Sequence, residues 1–498
     1  MAISVQYHND VKMLVTASDG IDHDLSEYFS FFAEGYRYMA KYRNKLWDGK
    51  IRLVTPYNPQ MYIGLLATLI DYAKFMDIPI DIEPRVYKCF YSGIDSEQIE
   101  DFINQLDVRS SGNEIQPYEH QIKAVKAGLQ LNRMTLLSPT SSGKSLIIYY
   151  LIRYYLEQAN ASVDHNILVV VPSVMLTDQL LSDFVDYSSH DTFSATDTCH
   201  QIIAGKSKET DKRVTITTWQ SVFKQPRSWF DKYSCCIVDE VHQAKAKSIT
   251  GIMEKLPNCP IKHGLTGTLD GTECNKLVIS GLFGPVQEFV TTTDLMDKGL
   301  VAQLKIENLI LKYPAEECKE NNKATYQNEI KYIVNHAKRN NMVADLAAVQ
   351  KDTCLILANN VAHCKNLYDL CKKKTTGREV YLITGKTKSD LRSEIRKSAE
   401  LDKGAIIVAT YGCLSTGVSI KNIHSVIFAS PTKSMIRTLQ SIGRGLRISS
   451  SKWKVKLYDI VDDLSHRKHK NYALKHFIER LKIYNKQKFD YSINKLEL

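Results

Sequence analysis

At 498 residues and 44% hydrophobic, the chain has the length for about three domains and ample apolar content for packed cores. A formal charge of +10 fits an anionic partner without approaching the basicity of a histone. The eleven cysteines form no paired CxxC pattern, the start "MAISVQYHND" is no signal peptide, and no apolar run is long enough to span a membrane. Disulfide-framework and membrane classes are therefore excluded. The expected setting is soluble, reducing and intracellular, the cytoplasm.

Residues 1–110 suggest short alternating strands and a helix near 63–76. Within them, 31–53 interleaves Tyr36, Tyr38, Tyr42 and Trp47 with Arg37, Lys41, Arg43, Lys45, Lys50 and Arg52, opposed only by Glu34 and Asp48. Basic side chains bind phosphates and aromatic faces stack on bases, so this is a candidate DNA-binding segment. The alternative is a strand–turn–strand with core aromatics and "WDGK" as its turn. A polar stretch at 107–114 reads as a linker. In "IQPYEHQIKAV" (115–125), Gln121 can pair with an adenine edge and Tyr118 can stack. Alone, that stretch is a helix started by a proline.

Next comes "LLSPTSSGKSLIIYY" (136–150). An apolar strand at 134–137, a turn-rich loop and a long apolar helix from Ser145 give the context of a phosphate-binding loop. Lys144 would reach the β- and γ-phosphates and Ser145 would hold Mg²⁺. The usual first glycine is replaced by Ser138, which leaves an ordinary turn as the alternative. Further strand-like runs are "ILVVVP" (167–172), "VTITTW" (214–219) and "CCIVDE" (235–240). Asp239 and Glu240 end the last run. There Asp239 can hold Mg²⁺ through water, and Glu240 can orient and deprotonate an attacking water. A solvated acidic pair is the bland alternative.

After a joining segment at about 291–314 the rhythm returns in "CLILAN" (354–359), "VYLITG" (380–385), "AIIVAT" (405–410) and "SVIFAS" (425–430). Continuous Val/Ile/Leu runs separated by helices predict parallel sheets covered on both faces. "QSIGRGLR" (440–447) sets Arg444 and Arg447 on one helical face, as arginine fingers or as a solvated basic surface. Beyond about 462 the chain turns basic, with Leu474, Phe477, Ile478 and Leu481 spaced for an amphipathic helix.

Taken in order, Tyr118 and Gln121, "SPTSSGKS", "VVPSVMLTDQ", "TTWQS", "DEVH", "TGT", "ATYGCLSTGVSI" and "QSIGRGLR" resemble the motif set of superfamily 2 helicases. The resemblance implies an α/β protein with two RecA-like parallel-sheet domains in tandem, a small N-terminal α+β domain and a basic C-terminal helix. The corresponding boundaries are 1–110, 111–300, 301–461 and 462–498. In that superfamily the loop often starts with a small residue before Pro-Thr, which accommodates Ser138. ATP contacts are implied for Tyr118, Gln121, Thr140, Ser141, Ser142, Gly143, Lys144, Ser145, His242, Gly417 and Gln440, with Mg²⁺ at Ser145 and Asp239. Lys144, Asp239, Glu240, Arg444 and Arg447 are the implied catalytic set.

Backbone contacts to DNA are implied for Ser173, Thr218, Gln220, Asn360 and Thr410, beside the N-terminal Arg37, Lys41, Arg43 and Lys45. Each hydroxyl or amide here can equally be a helix cap or turn residue. One departure is Ser419, where many members carry an aspartate.

"FFAEGYRYMAKYRNKLWDGKIRLV", "SWFDKY" and "LTGTLDGTECN" resemble a narrower branch, the recombination and repair helicases of T-even bacteriophages. That branch implies an ATP hydrolase that remodels forks, four-way junctions and R-loops; a monomer is the expected working form. Its partners would be branched duplex, R-loops and single-stranded DNA, with no membrane. A double-strand translocase and a non-motor annealing protein are the competing classes.

Overall fold

The computed structural model describes residues 2–18, 20–33, 35–157, 166–203, 205, 207–243, 246–269, 273–387, 389–401, 404–415, 423–431 and 454–498. They form two compact units, Met1–Ser138 with Gly143–Phe289, and Val290–Leu498, with which the short stretch Pro139–Ser142 groups.

The first unit opens with a four-stranded sheet in the order Gln60–Tyr62, Lys12–Ala17, Ile3–Tyr7, Ile80–Ile82. The first three strands run antiparallel to their neighbours and the last pairs parallel. Ile3, Val5, Met13 and Val15 are buried while the residues between them are more exposed, the period-two pattern of a sheet with one covered face. The helix Leu66–Phe75 packs there through Leu66, Leu69, Tyr72 and Ala73. The segment expected as strand–turn–strand does pair Ser30–Phe32 with Lys50–Arg52. Between those strands lie a 3₁₀ turn, Tyr36–Tyr38, and a short helix, Ala40–Arg43, so the connection is longer than a "WDGK" turn. Trp47 is half-buried and donates its indole N–H to the Lys50 carbonyl at 2.8 Å.

Beside this sheet stands a seven-stranded sheet, all parallel. Its order is Cys199–Ile202, Val214–Thr218, Asn166–Val171, Tyr233–Val238, Ile261–Thr266, Arg133–Leu137, Val286–Glu288. The central strands are buried on both faces, which is why they read as unbroken apolar runs. The helix Lys144–Glu157 is buried nearly all round. Gly64 packs closely against the helix Glu273–Phe283. A β-carbon on it would stand 2.2 Å from the Ser280 carbonyl oxygen and 2.6 Å from that of Gly281.

The second unit is a second seven-stranded, all-parallel sheet. Its order is Val380–Ile383, Ile406–Thr410, Cys354–Ala358, Ser425–Phe428, Lys454–Asp463, Gln303–Lys312, Asp490–Glu497. The stretch expected to join the two blocks is shorter than the sequence suggests, because its later half, Gln303–Lys312, is a strand of this sheet. The anticipated C-terminal helix is Tyr472–Lys486, and a strand follows it. Glu329 accepts the Tyr472 and Ala473 backbone N–H groups at 2.9 and 2.7 Å, capping that helix. Arg480 forks onto Asp459 at 2.7 and 2.8 Å, and the Tyr484 hydroxyl donates to the same carboxylate. Two parallel-sheet domains and an α+β N-terminal region are thus the architecture, as the motif order implied.

Candidate nucleotide site and nucleic-acid interface

The loop that follows strand Arg133–Leu137 is held mainly through its backbone. The Ser138 N–H donates to the Thr266 carbonyl at 2.8 Å, and the Ser138 carbonyl accepts from Lys144 Nζ at 3.2 Å. Neither bond uses the side chain, so a small residue serves at 138. The left-handed positions are Ser141 (φ 70°) and Gly143 (φ 84°). Gly143 cannot be replaced freely, because a β-carbon would fall 2.0 Å from Gln121 Nε2. Ser142 closes the turn by donating its hydroxyl to the Pro139 carbonyl at 2.8 Å. Leu146 and Ile147 N–H groups then bond to the Gly143 carbonyl, and the helix begins. A turn of backbone amides at a helix N-terminus, with a lysine on its first residue, is a cradle for an anion.

Strand Tyr233–Val238 delivers the acidic pair to the same edge of the sheet. The Asp239 N–H donates to the Val170 carbonyl, and Asp239 Oδ1 accepts the Glu240 N–H at 2.9 Å. That bond holds Glu240 at φ 50°, a conformation disfavoured for a residue with a β-carbon by about 1–2 kcal/mol. Lys144 Nζ lies 3.6 Å from Glu240 Oε1, with both side chains largely shielded. Burial, and secondly the Glu240 charge, push the Asp239 carboxyl up to about 7, against the pull of Lys144. A carboxyl so poised gains from a nearby cation, and Ser145 and Asp239 together are a donor set suited to a partly hydrated Mg²⁺.

His242 Nδ1 is 2.6 Å from Thr266 Oγ1, whose own hydrogen goes to the Thr268 carbonyl at 2.6 Å. The imidazole must therefore carry its proton on Nδ1 in this pair. Glu240 Oε2 meets His242 Nδ1 at 3.4 Å and the Gly267 N–H at 3.4 Å. Thr266 and Gly267 thus join the loop to the acidic pair. They belong to the "TGT" stretch, recognised as a motif but not counted among the site residues. Ser145 Oγ shares a hydrogen bond with the Tyr187 hydroxyl at 3.0 Å, a partner no pattern in the sequence marks. Tyr118 is half exposed, and its N–H donates to Gln121 Oε1 at 2.8 Å, so that glutamine is fixed beside Gly143. Thr140 is half-buried in the loop.

Thr218 ends a strand, and Ser173 and Gln220 follow strands, on the same carboxyl edge. Ser173 Oγ accepts the Leu176 N–H, capping a helix, and Thr218 Oγ1 pairs with Ser221 Oγ at 2.9 Å. Gln220 is exposed. In the second unit, Thr410 ends one strand and Asn360 follows its neighbour, on one edge. Asn360 Oδ1 accepts the His363 N–H at 2.6 Å, and the Thr410 hydroxyl donates to Cys413 Sγ at 3.1 Å. Several of these groups are therefore caps or turn residues, as the alternative reading holds. Arg37, Lys41, Arg43 and Lys45 are exposed in the N-terminal region. Gly417, Ser419, Gln440, Arg444 and Arg447 lie outside the described residues. The ten described cysteines are buried and free. No helix among the described residues is long and apolar enough to cross a membrane.

Three family models match the chain. They are the res subunit of type III restriction enzymes over residues 114–271, the N-terminal domain of DNA helicase UvsW over 2–83, and the helicase conserved C-terminal domain over 337–449. The ATP-dependent DNA helicase uvsW of Enterobacteria phage T4 is 36% identical over the whole of both chains. The crystal structure of T4 UvsW, 35% identical, covers both chains fully with a TM-score of 0.54. Dbp5 of S. cerevisiae, solved with RNA and ADP BeF3, is 15% identical, covers 77% of this chain and 90% of its own, and has a TM-score of 0.53, a likeness of fold alone. A relative this similar from end to end, together with a phosphate loop and an acidic pair on one sheet edge, makes the chain a member of the UvsW family of ATP-dependent DNA helicases, enzymes of superfamily 2.

Proposed function

We propose that this helicase uses ATP to remodel branched DNA, namely forks, four-way junctions and R-loops, in recombination, repair and replication. The observation that carries the reading is the basic N-terminal arm, which stands in the same compact unit as Lys144, Asp239 and Glu240. Among the described residues, its nearby acids are engaged by other cations. Glu27 binds Lys50 and Arg52, and Asp48 binds Arg52 at 2.6 Å. Arg37, Lys41, Arg43 and Lys45 are left for phosphates. The working unit is a monomer, in the cytoplasm of the host.

In this reading the loop amides and Lys144 bind the β- and γ-phosphates, and Gln121 and Tyr118 hold the base. Glu240 takes the proton of the attacking water, with His242 and the Gly267 N–H fixing its carboxylate. Mg²⁺, held by Ser145 and Asp239, would supply charge neutralisation at the phosphates. Arg444 and Arg447 are assigned to charge stabilisation, with Gly417 and Gln440 as further ATP contacts, on the strength of the motif resemblance. Ser173, Thr218, Gln220, Asn360 and Thr410 are assigned to the DNA backbone. The boundaries at about 110 and 300 separate the N-terminal, first and second α/β domains.

The test is ATP-dependent strand displacement on a fork, a four-way junction, an R-loop and a blunt duplex of matched length. Preference for the three branched substrates is the expected result. Equal rates on all four, or translocation on blunt duplex without strand release, would favour a double-strand translocase.

A further inference from the structure

Two buried cations in the first unit have no part in the ATP chemistry. Arg133 and Lys262 are both fully buried, and they stand side by side at the start of neighbouring strands, where they are register partners. Neither has an acidic partner within ion-pair distance among the described residues. Instead both reach one backbone group, the Asp10 carbonyl of the N-terminal sheet, each at 3.0 Å. Arg133 also donates to the Cys89 carbonyl at 3.2 Å, and Lys262 to the carbonyls of Leu256, at 3.1 Å, and Cys259. The same Asp10 peptide donates its N–H to the Pro257 carbonyl at 2.9 Å. Burying a cation whose hydrogen-bond partners are carbonyls is costly, even with the Phe90 ring 5.6 Å from the Arg133 guanidinium, and removing the shared carbonyl would leave two such charges poorly satisfied. The N-terminal domain is therefore fastened to this sheet at a point where detachment is strongly opposed.

The other ends of these two strands are the ATP site. Arg133–Leu137 runs into Ser138, whose carbonyl holds Lys144. Ile261–Thr266 runs into Gly267, whose N–H meets Glu240. Thr266 and Ser138 are themselves bonded. Each strand spans about 17–20 Å at ~3.3 Å per residue. Two adjacent strands, buried except at Leu137, thus join the Asp10 contact directly to both halves of the hydrolytic site.

We propose that Arg133 and Lys262 are positioning residues that tie the DNA-holding N-terminal domain to the nucleotide loop and to Glu240, so that bound DNA raises ATP turnover through these two strands. The proposal rests on the reading of Arg37 to Lys45 as a DNA contact.

The test uses the full-length protein with Lys262→Met, which removes the charge and keeps an unbranched apolar chain. Basal ATPase, ATP KM and DNA affinity should stay within about two-fold of wild type, while DNA-stimulated kcat falls about ten-fold, within the usual range of coupling between sites. Adding Lys12→Cys and Glu254→Cys, whose native side chains meet at 3.8 Å, allows a short bismaleimide to pin the two domains independently. Cross-linking should restore most of the DNA stimulation to Lys262→Met. Gly64→Ala, which forces the same domains apart without touching either cation, should show the same split and carries the test where Lys262→Met does not fold. Full DNA stimulation in a folded variant would overturn the proposal. So would a parallel fall of basal and stimulated rates, or a cross-link without effect. Failure of the DNA reading is distinguished separately, as unchanged DNA affinity when Arg37, Lys41 and Arg43 are reversed in charge.

Discussion

Lys144 and Glu240 make different kinds of contact, and their substitutions should separate binding from chemistry. Lys144→Ala removes the ammonium that spans Ser138 and Glu240, so ATP affinity and hydrolysis should both collapse. Circular dichroism should remain unchanged, since the side chain anchors no core. Glu240→Gln keeps the shape and the Gly267 contact but not the base. ATP should still bind, and single-turnover hydrolysis should fall by about 10²–10⁴. Loss of ATP binding in Glu240→Gln would assign that residue to the fold. Lys262 adds a pH-dependent test. Burial lowers its pKa to about 8 in the folded protein, against the ordinary lysine value of 10.5. Between those two values the unfolded chain keeps a proton that the native state has released, so this residue's contribution to stability rises with pH. The melting temperature of wild type relative to Lys262→Met should therefore improve from pH 7.5 to pH 9.5. A gap that is constant or narrows with pH would mean that Lys262 titrates normally.

At the scale of elements, the runs that read clearly in the sequence are those buried on both faces without charges, such as 167–171 and 354–358. Strand Ile261–Thr266 does not read so, because Lys262, His263 and Gly264 interrupt the pattern. All six of its residues are nevertheless buried. Lys262 reaches the distant Asp10 carbonyl as well as the nearby carbonyls of Leu256 and Cys259, and His263 Nε2 meets the Tyr155 hydroxyl at 3.1 Å, a partner far away in sequence. The same holds for Lys454–Asp463. Its Asp459 and Asp462 look like surface residues but are fully buried, paired with Arg480 and Arg339. Arg339 forks onto Asp462 at 2.6 and 2.9 Å and also reaches the Ala429 carbonyl. The candidate nucleotide site was more readable as a cluster, since its residues sit in contiguous loops at strand ends. What stayed hidden there was partnership across strands, such as Ser138 with Thr266 and Ser145 with Tyr187.

The last strand of the chain carries a prediction of the same kind. Asp490–Glu497 covers Gln303–Lys312 over eight register pairs, and the buried Asn308 donates to the Ser492 carbonyl at 2.8 Å. Removing residues 490–498 would turn Gln303–Lys312 into an open edge and leave Asn308 without that acceptor. The truncated protein should melt several degrees lower and aggregate on heating. Its ATP affinity should survive where it remains folded, because no residue of the nucleotide loop is touched. An unchanged melting curve would show the strand to be dispensable.

For the whole molecule, the question is where DNA binding and ATP hydrolysis are physically separable. The N-terminal arm exposes Arg37, Lys41, Arg43 and Lys45, with Tyr38 almost fully exposed among them, while Tyr36 packs against Tyr42 and against the half-exposed Phe32. Among the described residues Arg37 donates to the Tyr36 hydroxyl, at 3.1 Å, and Glu27 and Asp48 are already paired with Lys50 and Arg52. These charges cost little to keep in water and gain much from a phosphate backbone, and their contribution must weaken with salt. Replacing Arg37, Lys41 and Arg43 by glutamate should therefore lower fork affinity strongly. It should also reduce the slope of log K against log salt by about two to three units, near 0.9 per lost phosphate contact on duplex. Basal ATPase should be unchanged, because no atom of the Lys144, Asp239 and Glu240 group depends on this arm. Deleting the whole N-terminal region is a poorer experiment. It would strip the Asp10 and Cys89 carbonyls from Arg133 and Lys262, so lost activity could come from a damaged sheet as readily as from lost DNA contact. The triple charge reversal leaves that fastening intact. A salt slope equal to wild type in the reversed protein would place the DNA track on other surfaces, whereas a shallower slope with full basal turnover would make this arm the branched-DNA contact of the motor.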